Sequence, residues 1–174
     1  MVNPAQTQCS SDSAGFTLLE LLVTITIVGI IMAIAVPSFQ NTIQDSRRNA
    51  ALSEFRESIQ LARDEAVARN ASLTLCASND GSTCSNANTW EKGYVLRTAS
   101  GGTLIKSNGA LHGSQTLRAT NGSSAIVFSS NGLIRTTDSF RLCDARGTAE
   151  QRGLTTEAGG ARDAVNADAI GNCP

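Results

Sequence analysis

From Phe16 to Val36 the chain is an unbroken apolar run whose single ionisable side chain is Glu20. Those 21 residues would span about 31 Å as a helix, close to the thickness of a bilayer's hydrocarbon core. The run is too long for the apolar core of a signal peptide, and no Ala-x-Ala cleavage site follows it. A carboxylate inside such a segment costs about 2.5 kcal/mol or more when left unpaired. A plain anchor has no need of it, so Glu20 calls for a partner.

Gly15 stands immediately before Phe16-Thr17-Leu18-Leu19-Glu20, and Pro37 follows the run. This arrangement resembles the type IV pilins and pseudopilins, whose precursors carry a short polar leader, a glycine, a Phe-Thr-Leu-x-Glu sequence and a hydrophobic helix. The resemblance implies that a prepilin peptidase cuts after Gly15 and methylates Phe16 as the new N-terminus. It also implies that Glu20 meets the N-terminal amine of a neighbouring subunit when helices pack into a filament. An amine and a carboxylate buried together satisfy each other where neither could stay charged alone. The leader departs from the usual pattern, because it holds Asp12 and no Lys or Arg, and Arg47 and Arg48 lie on the far side of the span. Positive charge therefore does not set the orientation, which rests on the resemblance. The expected division is a leader over 1–15, a membrane and filament-core helix over 16–36, an amphipathic second half of the helix over 37–70, and a β-rich periplasmic head over 71–174.

There are 14 basic and 15 acidic residues, and loss of Asp12 with the leader would leave 14 of each. No global positive field invites nucleic acid. The roughly 130 residues after the span suffice for one small domain with its own core. Cys9 would leave with the leader, and Cys76, Cys84, Cys143 and Cys173 form an even set. A zinc site competes with disulfides for these four, but no Cys-x-x-Cys pair occurs and the one histidine, His112, has no ligand-like neighbour. Four cysteines allow three connectivities. Sequence proximity and the habit of the resembled family favour Cys76 with Cys84 and Cys143 with Cys173, in an oxidising compartment.

Beyond Pro37 helical periodicity resumes. Leu52, Phe55, Ile59, Ala62 and Ala66 draw one apolar stripe, with Arg56, Glu57, Arg63, Asp64 and Glu65 opposite. One long helix is expected from Phe16 to about Arg69, ending at Asn70 and bent or loosened at Pro37. The period then changes to two. Strands are expected at Ser72–Cys76, Gly93–Thr98, Thr103–Ser107, Gln115–Ala119, Ala125–Ser129, Leu133–Thr136 and Phe140–Cys143, with Asn131-Gly132 as a hairpin turn. The fold class is α+β: a long N-terminal helix packed against an antiparallel β-sheet head.

The helix and head together, through Ala62-Arg63-Asp64-Glu65-Ala66, Thr74-Leu75-Cys76, Trp90-Glu91-Lys92-Gly93-Tyr94 and Phe140-Arg141-Leu142-Cys143, resemble the FimT/FimU and GspH branch of minor pilins and minor pseudopilins. Some FimT members are DNA receptors with a C-terminal Gly-Arg-x-Arg signature. Here the matching stretch is Gly159-Gly160-Ala161-Arg162-Asp163, with Ala161 at the first arginine position and an acid beside Arg162, which weakens phosphate binding. Arg141, Arg146 and Arg152 would join Arg162 in a basic patch only if the last strands bring them together. His112 belongs to no nucleophile-elbow or phosphate-loop pattern, and Asn79-Asp80-Gly81-Ser82 lacks the alternating acids of a calcium loop.

The resulting expectation is a structural subunit and not an enzyme, with no cofactor: a minor pilin of a type IV pilus tip or initiation complex, in the inner membrane with a periplasmic head until assembly. The alternatives are the H-type minor pseudopilin of a type II secretion system and a DNA-binding minor pilin. The expected partners are other minor and major pilins or pseudopilins, prepilin peptidase and the inner membrane, with nucleic acid only in the last case.

Overall fold

One helix, α1, runs from Leu18 to Ala68 in the computed structural model, which describes residues 15–99, 102–147, 151–164 and 173. The expected leader up to Ala14, with Cys9 and Asp12, and the residues Ser100 and Gly101 fall outside the described residues. The start of α1 is fixed by Thr17, whose Oγ1 accepts the Glu20 N–H at 3.2 Å. That is an N-cap bond to the third helical residue. At the other end Asn70 takes φ 47°. Ala71 N–H bonds the Ala66 carbonyl and Asn70 N–H the Val67 carbonyl, both at 3.1 Å, the paired bonds of a Schellman ending. The helix continues through Pro37, where the missing N–H leaves the Ala33 carbonyl without its usual donor.

The chain divides into two compact units, Met1–Thr42 and Ile43–Pro174. In the second, the stripe Ala51, Leu52, Phe55, Ile59, Ala62 and Ala66 is buried. It meets eight antiparallel strands: β1 (Leu73–Ala77), β2 (Tyr94–Thr98), β3 (Leu104–Asn108), β4 (Thr116–Ala119), β5 (Ala125–Phe128), β6 (Ser139–Cys143), β7 (Arg152–Glu157) and β8 (Gly160–Asp163). They form two sheets of four, in the orders β3-β2-β1-β5 and β4-β6-β7-β8. Alternate residues of both sheets, among them Leu73, Leu75, Leu96, Ile126, Leu142 and Leu154, close on the helix as one core. Phe55 sits at its centre, with edge-on ring contacts to Tyr94 of β2, Phe140 of β6 and Trp90. The Trp90 Nε1–H donates to the Ser123 carbonyl at 2.8 Å, so the indole's polar atom is satisfied inside the core.

Three features differ from the sequence expectation. The β head is two sheets where one was expected. The segment Leu133–Thr136 is not a strand but a single bridge from Ile134 to Phe128. Its backbone divides its bonds, Arg135 N–H going to Val127 and Ile134 N–H to Ala158, so it cannot continue one ladder. The strands β7 and β8 were not expected; their sequences, RGLTTE and GARD, hold one large apolar residue between them and carry almost no periodic signal.

The outer face of the first sheet is covered as well. Cys76 and its cross-strand partner Val95 are fully buried although they alternate with the core-facing residues. The loop after β1 accounts for this: Cys84 is joined to Cys76, and Gly81 approaches Ser107, the neighbour of Val95. Asp80 organises the loop by accepting bonds from Ser78, from the Ser82 and Thr83 N–H groups and from the Thr83 hydroxyl. Those bonds, led by the Thr83 hydroxyl, hold its carboxyl well below the ordinary carboxylate range.

Candidate functional site

Two regions carry the sequence-predicted residues: the start of α1 and the polar surface of the head. In the first, Gly15, Phe16 and Thr17 precede the helix, and Phe16 is 80% exposed. Glu20 lies in the first turn, where a carboxylate is favoured by the helix dipole. Thr17 and Glu20 have the spacing of a capping box, with the observed Thr17 Oγ1 bond as one half of it. From Leu18 to Val36 every large apolar side chain is exposed. Thr24 and Thr26 direct their hydroxyls to the Leu21 and Val23 carbonyls at 2.8 and 2.7 Å, so neither leaves an unmet donor in an apolar medium. Among the described residues this is the one helix long and apolar enough to cross a membrane. A Cβ placed on Gly15 would meet nothing within 4 Å. The described residues therefore give no reason for glycine there.

The head disperses the four arginines that would have formed a basic patch. Arg141 of β6 stands opposite Arg118 of β4 and Gly153 of β7. Arg152 is in register with the buried Leu142, hence on the other face of the sheet, where it lines a shallow depression with Arg56 and Asp163. Arg162 pairs with Glu157 at 3.2 Å, and Asp163 pairs with Arg56. Arg118 pairs with Glu91; burial, then the Arg141 charge, lowers its pKa. The Ala158-Gly159 turn joins β7 to β8 and is tied to α1 by Arg63, which donates to the Gly159 carbonyl.

Arg146 belongs to a network that sequence reasoning missed. Arg48 of α1 is only 2% exposed. It bonds Asp45 at 2.8 Å and Asp144 at 3.5 Å, and Arg146 bonds the same two carboxylates at 2.8 and 2.6 Å. The hydrogen bond from Arg146, ahead of all other influences, holds Asp144 below its ordinary value. No spacing rule links residue 45 to residue 144, so only the fold reveals the cluster. Next to it in sequence, Cys143 is bonded to Cys173 with Cα atoms 5.9 Å apart. Asp138 is a second missed residue: only 3% exposed, it accepts the N–H groups of Asn121, Ser123 and Ser139. It thereby fastens the β4–β5 turn to the start of β6. His112 is an exposed loop residue, and among the described residues no group of three His, Cys, Asp or Glu side chains is placed to hold a metal.

A family model described as type II transport protein GspH matches residues 51–160. A second, the prokaryotic N-terminal methylation motif, matches residues 10–36. The type IV major fimbrial protein FimA of Dichelobacter nodosus is 48% identical over 40 residues, 23% of this chain and 26% of FimA. The match thus spans about a quarter of that relative's length. A crystal structure of the type IV minor pilin FimU of Pseudomonas aeruginosa strain PAO1 superposes with a TM-score of 0.59 at 20% identity, covering 75% of this chain and 95% of FimU. A second crystal form of FimU gives 0.56 at 20% identity, over 72% and 96% of the two chains. At that identity the likeness is one of fold.

Proposed function

The chain belongs to the GspH family of pilin-like subunits and carries the N-terminal methylation motif, and from that premise we propose that it is a minor pilin of a type IV pilus tip or initiation complex. The observation that carries the reading is the start of α1. An exposed apolar helix begins at a Thr17 cap with Glu20 in its first turn, two residues after Gly15, where an added Cβ would meet none of the described residues. A residue with no internal reason to be glycine suits recognition by an external enzyme, which is the role of the prepilin peptidase site at Gly15 and Phe16. Cleavage there places the Phe16 amine two residues before the first helical residue. Glu20 then offers a carboxylate to a neighbouring subunit's amine, and the pairing offsets the cost of removing each charge from water. Before assembly the same helix holds the subunit in the inner membrane, with the disulfide-bearing head in the periplasm. The two disulfides suit that compartment.

A second reading, the H-type minor pseudopilin of a type II secretion system, is favoured by the description of the family model itself. A role as DNA receptor draws no support from the arginines, since Arg146 and Arg162 are matched by carboxylates and Arg152 faces away from Arg141. The test is co-assembly. Filaments sheared from cells making the wild-type chain should contain it. The Glu20→Ala chain should be processed yet stay in the membrane fraction. Loss of surface pili in a deletion strain supports the first reading; loss of enzyme secretion with pili intact replaces it with the second.

A further inference from the structure

One covalent bond, and little else, fastens the loop after β1 to the outer face of the first sheet. Residues 79–87 of that loop are exposed or half-buried, and besides Cys84 their apolar side chains amount to Ala87. Beneath them a row crosses four strands in register: Ser107 of β3, Val95 of β2, Cys76 of β1 and Ala125 of β5. Val95 and Cys76 have no exposed surface, and the Cys76 Sγ lies 3.7 Å from the Val95 carbonyl oxygen. A polar segment thus shields this row without packing a large apolar side chain against it.

Among the described residues, the hydrogen bonds of the segment stay within it or end at its roots. Asp80 takes its donors from Ser78, Ser82 and Thr83. Asn79 bonds Ser85 and Thr89, and the Ser85 N–H returns to the Ala77 carbonyl at 2.7 Å. The tie from the middle of the segment to the row is the Cys84–Cys76 disulfide, beside a close approach of Gly81 to Ser107. Cys84 is exposed and Cys76 is not, so a thiolate reaches this bond at the Cys84 sulfur. The Cys143–Cys173 bond is better shielded, with Cys143 buried and Cys173 half-buried. It also closes a link of 30 residues against 8, so opening it frees more chain entropy in the unfolded state.

We propose that residues 79–87 are a redox-sensitive strap, which a dithiol releases by attack at Cys84, uncovering the Val95 and Cys76 row while the head stays folded. In the first step a thiolate of the dithiol bonds the Cys84 sulfur, the S–S bond breaks, and Cys76 leaves with the electron pair and takes up a proton. The second thiolate then displaces Cys84, which is protonated in turn, and the dithiol departs as a disulfide, having given the protein two electrons. The core does not depend on this bond, because Cys76 stays in β1 between β2 and β5 and the core packs on the other face through Leu73, Leu75 and Ala77. Oxidised and reduced heads therefore present different outer faces of the first sheet. The device is separate from assembly through α1 and is the same whichever filament the subunit joins.

The experiment uses the full chain in detergent micelles, with thermal unfolding followed by circular dichroism alongside. Reduced glutathione traps the first step as a mixed disulfide, which peptide mass spectrometry locates. Cys84→Ser removes the bond without any reductant, and alkylation of its Cys76 by iodoacetamide reports whether the strap has lifted. The proposal expects the first glutathione adduct on Cys84. It also expects Cys76 of Cys84→Ser to be alkylated within about tenfold of its rate in the urea-unfolded chain, with cooperative melting retained. A first adduct on Cys76, Cys143 or Cys173 overturns the point of attack. Slower alkylation of Cys76 in the folded variant overturns the strap, since the segment then stays closed on its hydrogen bonds alone. Loss of cooperative melting in Cys84→Ser overturns it too, because the bond would then hold up the head and not a movable cover.

Discussion

Phe55→Ala is the substitution that most directly tests whether the helix and both sheets share one core. The ring is fully buried, with its centroid 5.1 Å from Phe140, 5.3 Å from Tyr94 and 5.4 Å from Trp90. Tyr94 belongs to the first sheet and Phe140 to the second, so its loss opens a void at the point where all three layers meet. Replacing a buried Phe by Ala costs about 3–5 kcal/mol, from lost transfer energy and an incompletely collapsed cavity. A unit of roughly 130 residues unfolds with an entropy near 0.28 kcal/mol/K, so the melting temperature should fall by about 11–18 °C. Phe55→Leu keeps most of the volume and should lose less than half as much. The assay is thermal unfolding by near-ultraviolet circular dichroism of the full chain in detergent, with both disulfides oxidised. A drop under about 4 °C for Phe55→Ala would mean that the two sheets do not depend on this ring, and the single-core account would fail.

Other expectations concern charge and covalent links. Asp144 is held below the ordinary carboxylate range, so its contribution is present in full above about pH 4 and is lost as pH falls through its lowered folded value. The wild-type melting temperature should thus be flat from pH 7 to 5 and fall below about pH 4. Asp144→Asn should melt lower at pH 7 and show a shallower acid slope; an unchanged slope would contradict the network. Asp138→Ala strands three backbone donors and should cost about 2–4 kcal/mol in a denaturant titration, with Asp138→Asn recovering part of it. Converting Cys143 and Cys173 to alanine opens a 30-residue link and should cost about 3.5 kcal/mol by loop-closure entropy, read as a lower urea midpoint with a steeper slope, because the freed unfolded chain exposes more surface.

What was legible in the sequence followed from periodicity and local chemistry. The stripe from Leu52 to Ala66 announces the buried face of α1, Asn70 its left-handed ending, and the apolar run with Glu20 its N-terminal segment. Strands β1 to β6 each lie within a residue or so of their expected places, and β1, β4 and β6 set apolar against polar residues in alternation. Strand partnership is another matter. Whether β4 pairs with β5 or with β6 is decided by long-range closure, and nothing in the composition of Thr116–Ala119 marks it for the second sheet. Strands β7 and β8 are held by neighbours and not by propensity, with Leu154 alone committing β7 to the core. The Arg48 and Asp138 clusters join residues about 100 and 15 positions apart, where local patterns are silent.

The central claim is that this chain is a processed filament subunit whose mature N-terminus is Phe16. Mass spectrometry of the protein made alongside a prepilin peptidase tests it most directly, with Gly15→Val as the comparison. The account predicts an N-methylated Phe16 at the terminus of the wild-type chain and an uncut leader in Gly15→Val. An intact leader in the wild-type chain, or a cut at another position that Gly15→Val does not block, would contradict it.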